Sequence, residues 1–246
     1  VNMGYLRKCI EGGIPFSFAG LYRLVADAKA RGEFPEIPGI GYVAPLAAFP
    51  SEGYAILNNT RVCEMDPLDP RQLAKATLEA YKQALSIVSF LRKRVPGFER
   101  CYLAQLGCRI GVRESRRIVG EYVLKLKDII DCVEFYDRIA RGCYAVDVHP
   151  PKPGEKPIYI PIPEGKSYTI PYRSLLPLGV SNLLAAGRCI SAEHEALGAV
   201  RVMPTATATG QAAGVAAALS AGTDTDLRNL NIEEIQRELV RQGAIL

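Results

Sequence analysis

NLLAAGRCISAEHEALGAVRVMPTATATGQAAGVAAALSAG, residues 182–222, carries the strongest structural signals in the chain. The apolar run 183–186 predicts a short strand, and the glycine that follows it predicts where that strand stops. Pro204 favours the start of a helix, because the first turn of a helix does not need the N–H group that proline lacks. We therefore predict a strand, a polar loop and a long helix over about 205–221, with Gly222 at its end.

The predicted helix is built almost entirely from alanine, glycine and threonine. Glycine lowers helix propensity, so such small side chains indicate that a sheet or a flat ligand approaches the helix closely. The loop before the helix carries Arg188, His194 and Arg201. Because a helix N-terminus carries partial positive charge, the sequence predicts an anion or cofactor site where this loop meets the helix.

Length and composition describe an ordinary globular protein. The chain has 246 residues, enough for one large domain or two small ones. Its hydrophobic fraction is 48% and its charged fraction is 23%. The net charge of +4 is small and the charges are interspersed, so we predict no nucleic-acid partner. No run reaches the roughly 18 apolar residues of a membrane span, so we predict none.

The cysteines and histidines give no metal pattern. Seven cysteines are scattered without a CxxC pair, and there are two histidines. This set predicts reduced cysteines in a cytoplasmic protein and no metal site. His149 ends an alternating strand pattern at 146–149, which leaves open a catalytic role in a cleft and the commoner structural role of a lone histidine.

Prolines support one predicted element and exclude another. Asp69 and Pro70 predict the N-cap and first position of a long amphipathic helix over about 70–95, whose apolar stripe includes Leu85. Residues 39–44, GIGYVA, match the dinucleotide fingerprint GxGxxA. That fingerprint needs a strand before it and a helix after it, but prolines stand on both sides, so we reject it as a phosphate-binding loop.

A dense charged patch lies within residues 102–124, where the pattern predicts paired strands. Arg109, Arg113, Glu114, Arg116 and Arg117 lie within nine positions between apolar flanks. The patch is either the solvated face of a hairpin or a set of arginines that converge on phosphates or carboxylates. Spacing alone favours neither.

Three blocks together resemble a known family. RIGVRESRRIVGEYVL (109–124), RIARGCYAVDVH (138–149) and the segment 170–219, which contains GRCISAEHEA, RVMPT and ATGQAAG, are similar to bacterial FAD-dependent oxidoreductases related to glutathione reductase and fumarate reductase. The resemblance implies FAD as the cofactor and a mixed α/β fold. It also implies part of a substrate domain in residues 1–105, the C-terminal part of a Rossmann-like FAD domain with a strand hairpin in 106–222, and a capping helix in 223–246.

The resemblance also implies roles for single residues. The turn after the predicted strand is similar to a late flavin-binding motif, and the small-residue helix is similar to one whose N-terminus faces the flavin. The implied cofactor-binding residues are Arg113, Arg116, Gly187, Arg188, Cys189, Pro204, Thr205, Thr209, Gly210 and Gln211. For proton transfer and anion binding, the implied catalytic residues are His194, His149, Arg173 and Arg201.

One family feature is missing from the sequence. Such enzymes begin with a strand–GxGxxG–helix unit that binds the FAD diphosphate, and no such unit is present here. We therefore expect a truncated C-terminal part of an enzyme that transfers a hydride between FAD and a small organic substrate. The alternatives are a subunit of a split flavoenzyme that needs a Rossmann-bearing partner, and a non-catalytic interaction module.

Overall fold

The computed structural model describes residues 18–34, 37, 45–49, 53–95, 97–149 and 157–246. These residues group into two compact units, the first ending at Gly111 and the second beginning at Val112. The GIGYVA segment lies outside the described residues. None of the described helices combines the length and apolar character needed to cross a bilayer.

In its described residues, the first unit has two helices and one hairpin. Helix α1 covers Phe18–Ala30, strands β1 (Pro45–Phe49) and β2 (Tyr54–Leu57) pair antiparallel, and helix α2 covers Pro70–Arg94. Pro45 starts a strand rather than a helix, which agrees with the rejection of the fingerprint before it. Buried aliphatic and aromatic side chains form the core of this unit: Val25, Ala28, Phe34, Ile37, Ile87, Phe90, Leu91, Val95 and Phe98.

The start of α2 is as predicted, but its buried face is not. The Asp69 side chain accepts a hydrogen bond from the Arg71 N–H, which satisfies one free donor of the first turn. Leu85, predicted in the buried stripe, is 58% exposed, whereas Gln83 is 4% exposed. The Gln83 amide bonds to both the N–H and the carbonyl of Arg61, so its polar atoms are satisfied when it is buried.

The strands of the second unit form two small antiparallel sheets. Strand β3 (Arg138–Gly142) pairs with β6 (Tyr168–Pro171), and β4 (Val146–Val148) pairs with β5 (Ile158–Ile160). Both valines of β4 are buried and the aspartate between them is not, which confirms the predicted alternating strand. The mixed α/β class is confirmed. Every sheet in the described residues is two-stranded and antiparallel, so the Rossmann-like sheet stays a prediction.

The described part of the second unit also has three short 3₁₀ helices (Tyr172–Leu175, Gly187–Cys189 and Leu227–Asn229) and four α-helices: α3 (Leu126–Ile130), α4 (His194–Val200), α5 (Met203–Thr223) and α6 (Ile232–Arg241). Helix α5 is the predicted small-residue helix, and it packs on β3 and α6. The predicted end at Gly222 is wrong, because Asp224 adopts the left-handed conformation, with φ 51°, and caps the helix. The largest buried side chains of this unit include Tyr168, Leu124, Ile129, Ile139, Ile170, Leu175, Leu176 and Ile190.

Two predicted strand regions are irregular. Residues 102–124 form no strand pair, and the second half of the segment instead bonds to the 173–191 segment at scattered points such as Ile118 N–H to Cys189 O, 3.0 Å. Residues 183–186 form no strand either, because in the described chain their backbone makes one such bond, from Ala185 N–H to Leu175 O. A strand needs a continuous ladder, which neither segment finds here.

Three tyrosine hydroxyls of the second unit give a prediction for alkaline pH. Burial raises the pKa of Tyr168 and of Tyr172, and burial together with the Asp128 carboxylate raises the pKa of Tyr122 to about 12. Unfolded tyrosines ionise near about pH 10, so above that pH the unfolded state binds fewer protons than the native state. Stability is therefore present below pH 10 and is lost as the pH rises toward 12.

Urea unfolding at pH 9, 10 and 11 measures this effect. We expect the free energy of unfolding of the Tyr168→Phe protein to fall less steeply across this range than that of the wild type. Equal slopes would contradict the assignment, because the variant lacks one of the late-ionising hydroxyls.

Candidate functional site

Residues 112–117 lie across the second unit and make polar contacts with three other elements. The contact pairs are Arg113 with Asp147 of β4, Glu114 with His194 of α4, and the Val112 carbonyl with Arg188. Of the two interpretations of the charged patch, the contacts favour convergence over a solvated hairpin face.

Four side chains meet at Asp147. Arg113 Nη2 donates to its Oδ2 at 2.8 Å and to its backbone carbonyl at 3.3 Å. Arg201 Nη2 donates to the same two oxygens at 3.2 and 3.0 Å. His149 Nε2 lies 3.0 Å from Oδ1, and the Tyr144 hydroxyl lies 3.5 Å from Oδ2. One carboxylate therefore gathers three of the residues that the sequence singled out.

The charges at this point do not cancel. Two guanidinium groups share one carboxylate, and the Arg201 and Asp147 side chains are only 12% and 18% exposed. Burial lowers the pKa of Arg201, repulsion from Arg113 lowers it further, and Asp147 opposes both effects. Asp147 therefore holds two like charges close together, an arrangement with a surplus of positive charge.

A glycine sets the spacing between α4 and β4. A Cβ atom at Gly198 would lie 2.8 Å from Val148 Cγ2 and 3.2 Å from the Asp147 carbonyl oxygen. Real Cβ atoms do not come so close, so a glycine is needed for α4 to lie directly on the strand. This close packing places Arg201, the C-cap residue of α4, within reach of Asp147.

His194 has a carboxylate partner of its own. Its Nδ1 lies 2.8 Å from Glu114 Oε1, and Arg117 Nη1 lies 3.5 Å from the same oxygen. A carboxylate only accepts hydrogen bonds, so Nδ1 carries the proton and the lone pair of the neutral ring lies on Nε2. The His194 side chain is 45% exposed. His194 is therefore oriented with one nitrogen available for proton transfer.

The glycine turn and α5 are joined by one hydrogen bond. Gly187 has φ +75°, a conformation that side chains other than glycine rarely adopt, and its N–H donates to Thr209 Oγ1 at 3.0 Å. Thr209 is 1% exposed, so this bond fixes the turn against the helix. Arg188 Nη1 donates to the Val112 carbonyl, which ties the same turn to residues 112–117.

The N-terminus of α5 has no side-chain cap, and there is open space beside the helix at Gly210. Val202 is its N-cap residue and contributes no side-chain hydrogen bond, and Pro204 stands in the first turn as predicted. Thr205 is buried. No atom lies within 4 Å of the place that a Cβ would take at Gly210. A flat group could therefore approach the backbone here without a steric clash.

Arg173 lies in a different environment from the other predicted catalytic residues. Its Nε and Nη2 donate to the two Asp137 oxygens at 2.8 and 3.2 Å, and its guanidinium stacks 5.1 Å from the Tyr122 ring and 5.2 Å from the Tyr136 ring. Asp137 is 2% exposed. Its predicted role in anion binding stays a prediction, and the geometry favours a structural ion pair.

Three predicted cofactor ligands make few contacts with the cluster around Asp147. Arg116 is exposed and has no polar partner in the described part of the chain. The Gln211 amide donates to Gln242 Oε1 at 3.1 Å, and the Cys189 thiol donates to the Ala186 carbonyl at 3.2 Å. Their roles toward a cofactor stay predictions.

Sequence reasoning did not select Asp147 as a functional residue. Asp147 lies 34 positions from Arg113 and 54 from Arg201, so no local motif links it to its partners. The available signal was a charged residue between two valines in a predicted strand. Glu114 was named only as a member of the charged patch. Its position next to Arg113, a predicted cofactor ligand, was the signal that could have selected it.

Comparison with known proteins identifies the family. The family described as FAD dependent oxidoreductase matches residues 33–239. The chain belongs to the FAD-dependent oxidoreductases. No curated protein and no solved structure gives a significant match to this chain.

The geometry of this FAD-dependent oxidoreductase fits one side of its cofactor. The glycine turn at Gly187, the free end of α5 and the open space at Gly210 would let the flavin and its ribityl chain approach the backbone. The diphosphate is different, since the described residues contain no strand–glycine loop–helix unit of the kind that binds it. The described residues therefore leave room for a flavin at the Gly187 turn and the start of α5, and the part of FAD that they bind stays a prediction.

Proposed function

We propose that the protein transfers a hydride between FAD and a small organic substrate at the cluster of residues around Asp147 and Glu114. The observation that carries the proposal is the joint contact of residues 112–117 with the Arg–His cluster on one side and the Gly187–Arg188 turn on the other. One short segment thus connects the substrate site with the cofactor wall, by which we mean the Gly187–Arg188 turn and the start of α5. Bound FAD supplies the redox chemistry.

The chain's own residues have distinct roles in this proposal. Arg113 and Arg201 bind and orient negative charge on the substrate. His194, oriented by Glu114, moves a proton through Nε2. The uncapped N-terminus of α5 stabilises negative charge on the pyrimidine edge of the flavin. Thr205, Thr209 and Gly210 are the proposed contacts. His149 shares the Asp147 carboxylate and is the second candidate for proton transfer.

A second proposal concerns the missing diphosphate site. We propose that a Rossmann-bearing segment, on this polypeptide or on a partner chain, completes FAD binding. Two observations favour this: the described residues contain no diphosphate-binding unit, and the backbone of residues 183–186 makes one backbone–backbone hydrogen bond and accepts one from the Cys189 thiol. An extended segment with unpaired backbone groups is able to accept a neighbouring strand.

The free thiols of the described cysteines favour a cytoplasmic location.

FAD binding tests both proposals. The chain is titrated with FAD alone and then in complex with a GxGxxG-bearing segment, and bound flavin is measured by its absorbance spectrum. Gly187→Ala should weaken binding, because φ +75° disfavours alanine. Gly165→Ala is the matched control, since Gly165 has φ +72° and no atom lies near its would-be Cβ.

The outcomes separate the two proposals. Bound flavin with the chain alone would argue against the need for a Rossmann-bearing segment. Binding only in the complex would support it. No flavin in either case, or equal weakening by both glycine variants, would contradict the assigned cofactor wall.

A further inference from the structure

The Asp147 cluster holds more donors than its own carboxylate uses. Arg113 and Arg201 each direct only Nη2 toward Asp147. Within the described part of the chain, their Nε and Nη1 groups have no hydrogen-bond partner. Among the described residues, the Nε atom of Arg138 is shielded from solvent and has no hydrogen-bond partner. No side-chain nitrogen of Arg201 is in that situation. The free donors of Arg201 therefore reach solvent.

The net positive charge of the cluster also favours an anionic ligand. Two guanidinium groups face one carboxylate, so the cluster carries more positive than negative charge. The Arg113 side chain is 42% exposed while that of Arg201 is 12% exposed. One arginine is thus fixed at the base of the site, and the other lies at its open side. A second anion would relieve the repulsion between them.

The position of the cluster on α4 limits the size of the ligand. His194 is the first residue of α4 and Arg201 is its C-cap residue. At a rise of about 1.5 Å per residue, their backbones are roughly 10 Å apart. A ligand that contacts both Arg201 and His194 Nε2 has to span the distance between their side chains, which are paired with Asp147 and Glu114 respectively.

We propose that Arg113 and Arg201 form a binding site for the carboxylate of a small organic acid, which is the substrate class of the redox reaction. This inference rests on the proposed function. Asp147 takes up Nη2 of both arginines, so Nε and Nη1 of each remain as charged donors for the oxygens of a bound carboxylate. Asp147 acts as the internal counter-ion that keeps the two arginines side by side when no substrate is bound.

Calorimetric titration of the full chain with malonate, at constant ionic strength and without flavin, tests the site. We expect one malonate to bind per chain, and we expect Arg113→Gln and Arg201→Gln each to weaken binding about tenfold or more. Arg241→Gln is the control with the same change in charge, because Arg241 is 72% exposed and pairs with Glu238 on α6. It should bind malonate as the wild type does.

Two further titrations distinguish a carboxylate site from general anion attraction and from a phosphate site. Arg113→Lys keeps the charge but loses the free Nε and Nη1 donors, so it should weaken binding, and it changes a partly exposed side chain rather than the core. Unchanged affinity in Arg113→Lys would show general attraction of anions and would overturn the proposal. Tighter binding of inorganic pyrophosphate than of malonate, lost in the same two variants, would assign the arginines to the cofactor phosphates and would also overturn it.

This experiment is independent of the test of FAD binding. Malonate binding that depends on Arg113 and Arg201 supports the site even if flavin does not bind. Flavin binding without malonate binding supports the cofactor wall and contradicts the substrate class.

Discussion

Replacing Asp137 by alanine is expected to lower the free energy of unfolding by about 1.5–3 kcal/mol, the range for hydrogen bonds to a charged group, because Asp137 is buried while the Arg173 side chain that remains is 33% exposed. Asp137 is 2% exposed and accepts two side-chain hydrogen bonds from Arg173 as well as the Arg173 backbone N–H at 3.2 Å. Without the carboxylate, the guanidinium of Arg173 would remain between Tyr122 and Tyr136 with no counter-charge.

Urea unfolding of the purified chain at neutral pH measures this loss. Glu238→Ala is the matched control, since it also removes a carboxylate from an arginine pair on α6, but there the arginine left behind is 72% exposed. Its effect should be much smaller, because solvent screens exposed pairs. If Asp137→Ala destabilised the protein no more than Glu238→Ala, the buried pair would not be a structural centre of the second unit. Arg173 would then return to the set of candidate anion ligands.

The Asp137–Arg173 pair also shows what sequence reasoning could not supply. The two residues are 36 positions apart, and the sequence offered Arg173 only as a charge near a family motif. Whether an arginine is free for a ligand depends on the carboxylates that the fold brings to it. Arg201 and Arg173 were indistinguishable by type, yet Arg201 shares one carboxylate with a second arginine while Arg173 has a buried carboxylate of its own.

Local signals predicted the helices better than the strands. Pro70 and Pro204 marked true helix starts, because the restriction that proline imposes acts within one turn. The predicted strands at 183–186 and within 102–124 were wrong, because a strand exists only where a neighbour supplies a ladder. Apolar and alternating patterns record which residues are buried, and they do not record which segment lies alongside.

The largest expected effect on activity is at His194. In the FAD-bearing enzyme, His194→Ala should slow the reduction of the flavin by substrate by about 10²–10⁴-fold, the usual contribution of a positioned acid or base. The bond from Nδ1 to Glu114 fixes the ring, so the removal of the ring removes Nε2 as the proton-transfer atom. Stopped-flow measurement of flavin absorbance under anaerobic conditions gives this rate directly.

Glu114→Gln separates the two parts of the His194 argument. Glutamine keeps the length of the side chain but can present either an amide N–H or a carbonyl to Nδ1, so the tautomer is no longer fixed. We expect an intermediate loss of rate with little change in KM, because Glu114 positions His194 and does not itself bind substrate. Arg241→Ala on α6 serves as the control that leaves the rate unchanged.

The pattern across these variants decides the role of the histidine. A full loss in His194→Ala with a partial loss in Glu114→Gln is the result expected for a proton-transfer group and its positioning residue. A rate in His194→Ala equal to that of the wild type would remove His194 from the mechanism. His149 would then be the remaining candidate, because it is the other histidine of the sequence and lies 3.0 Å from Asp147 Oδ1. A change confined to KM would instead make His194 a substrate-binding residue, and proton transfer would need another group.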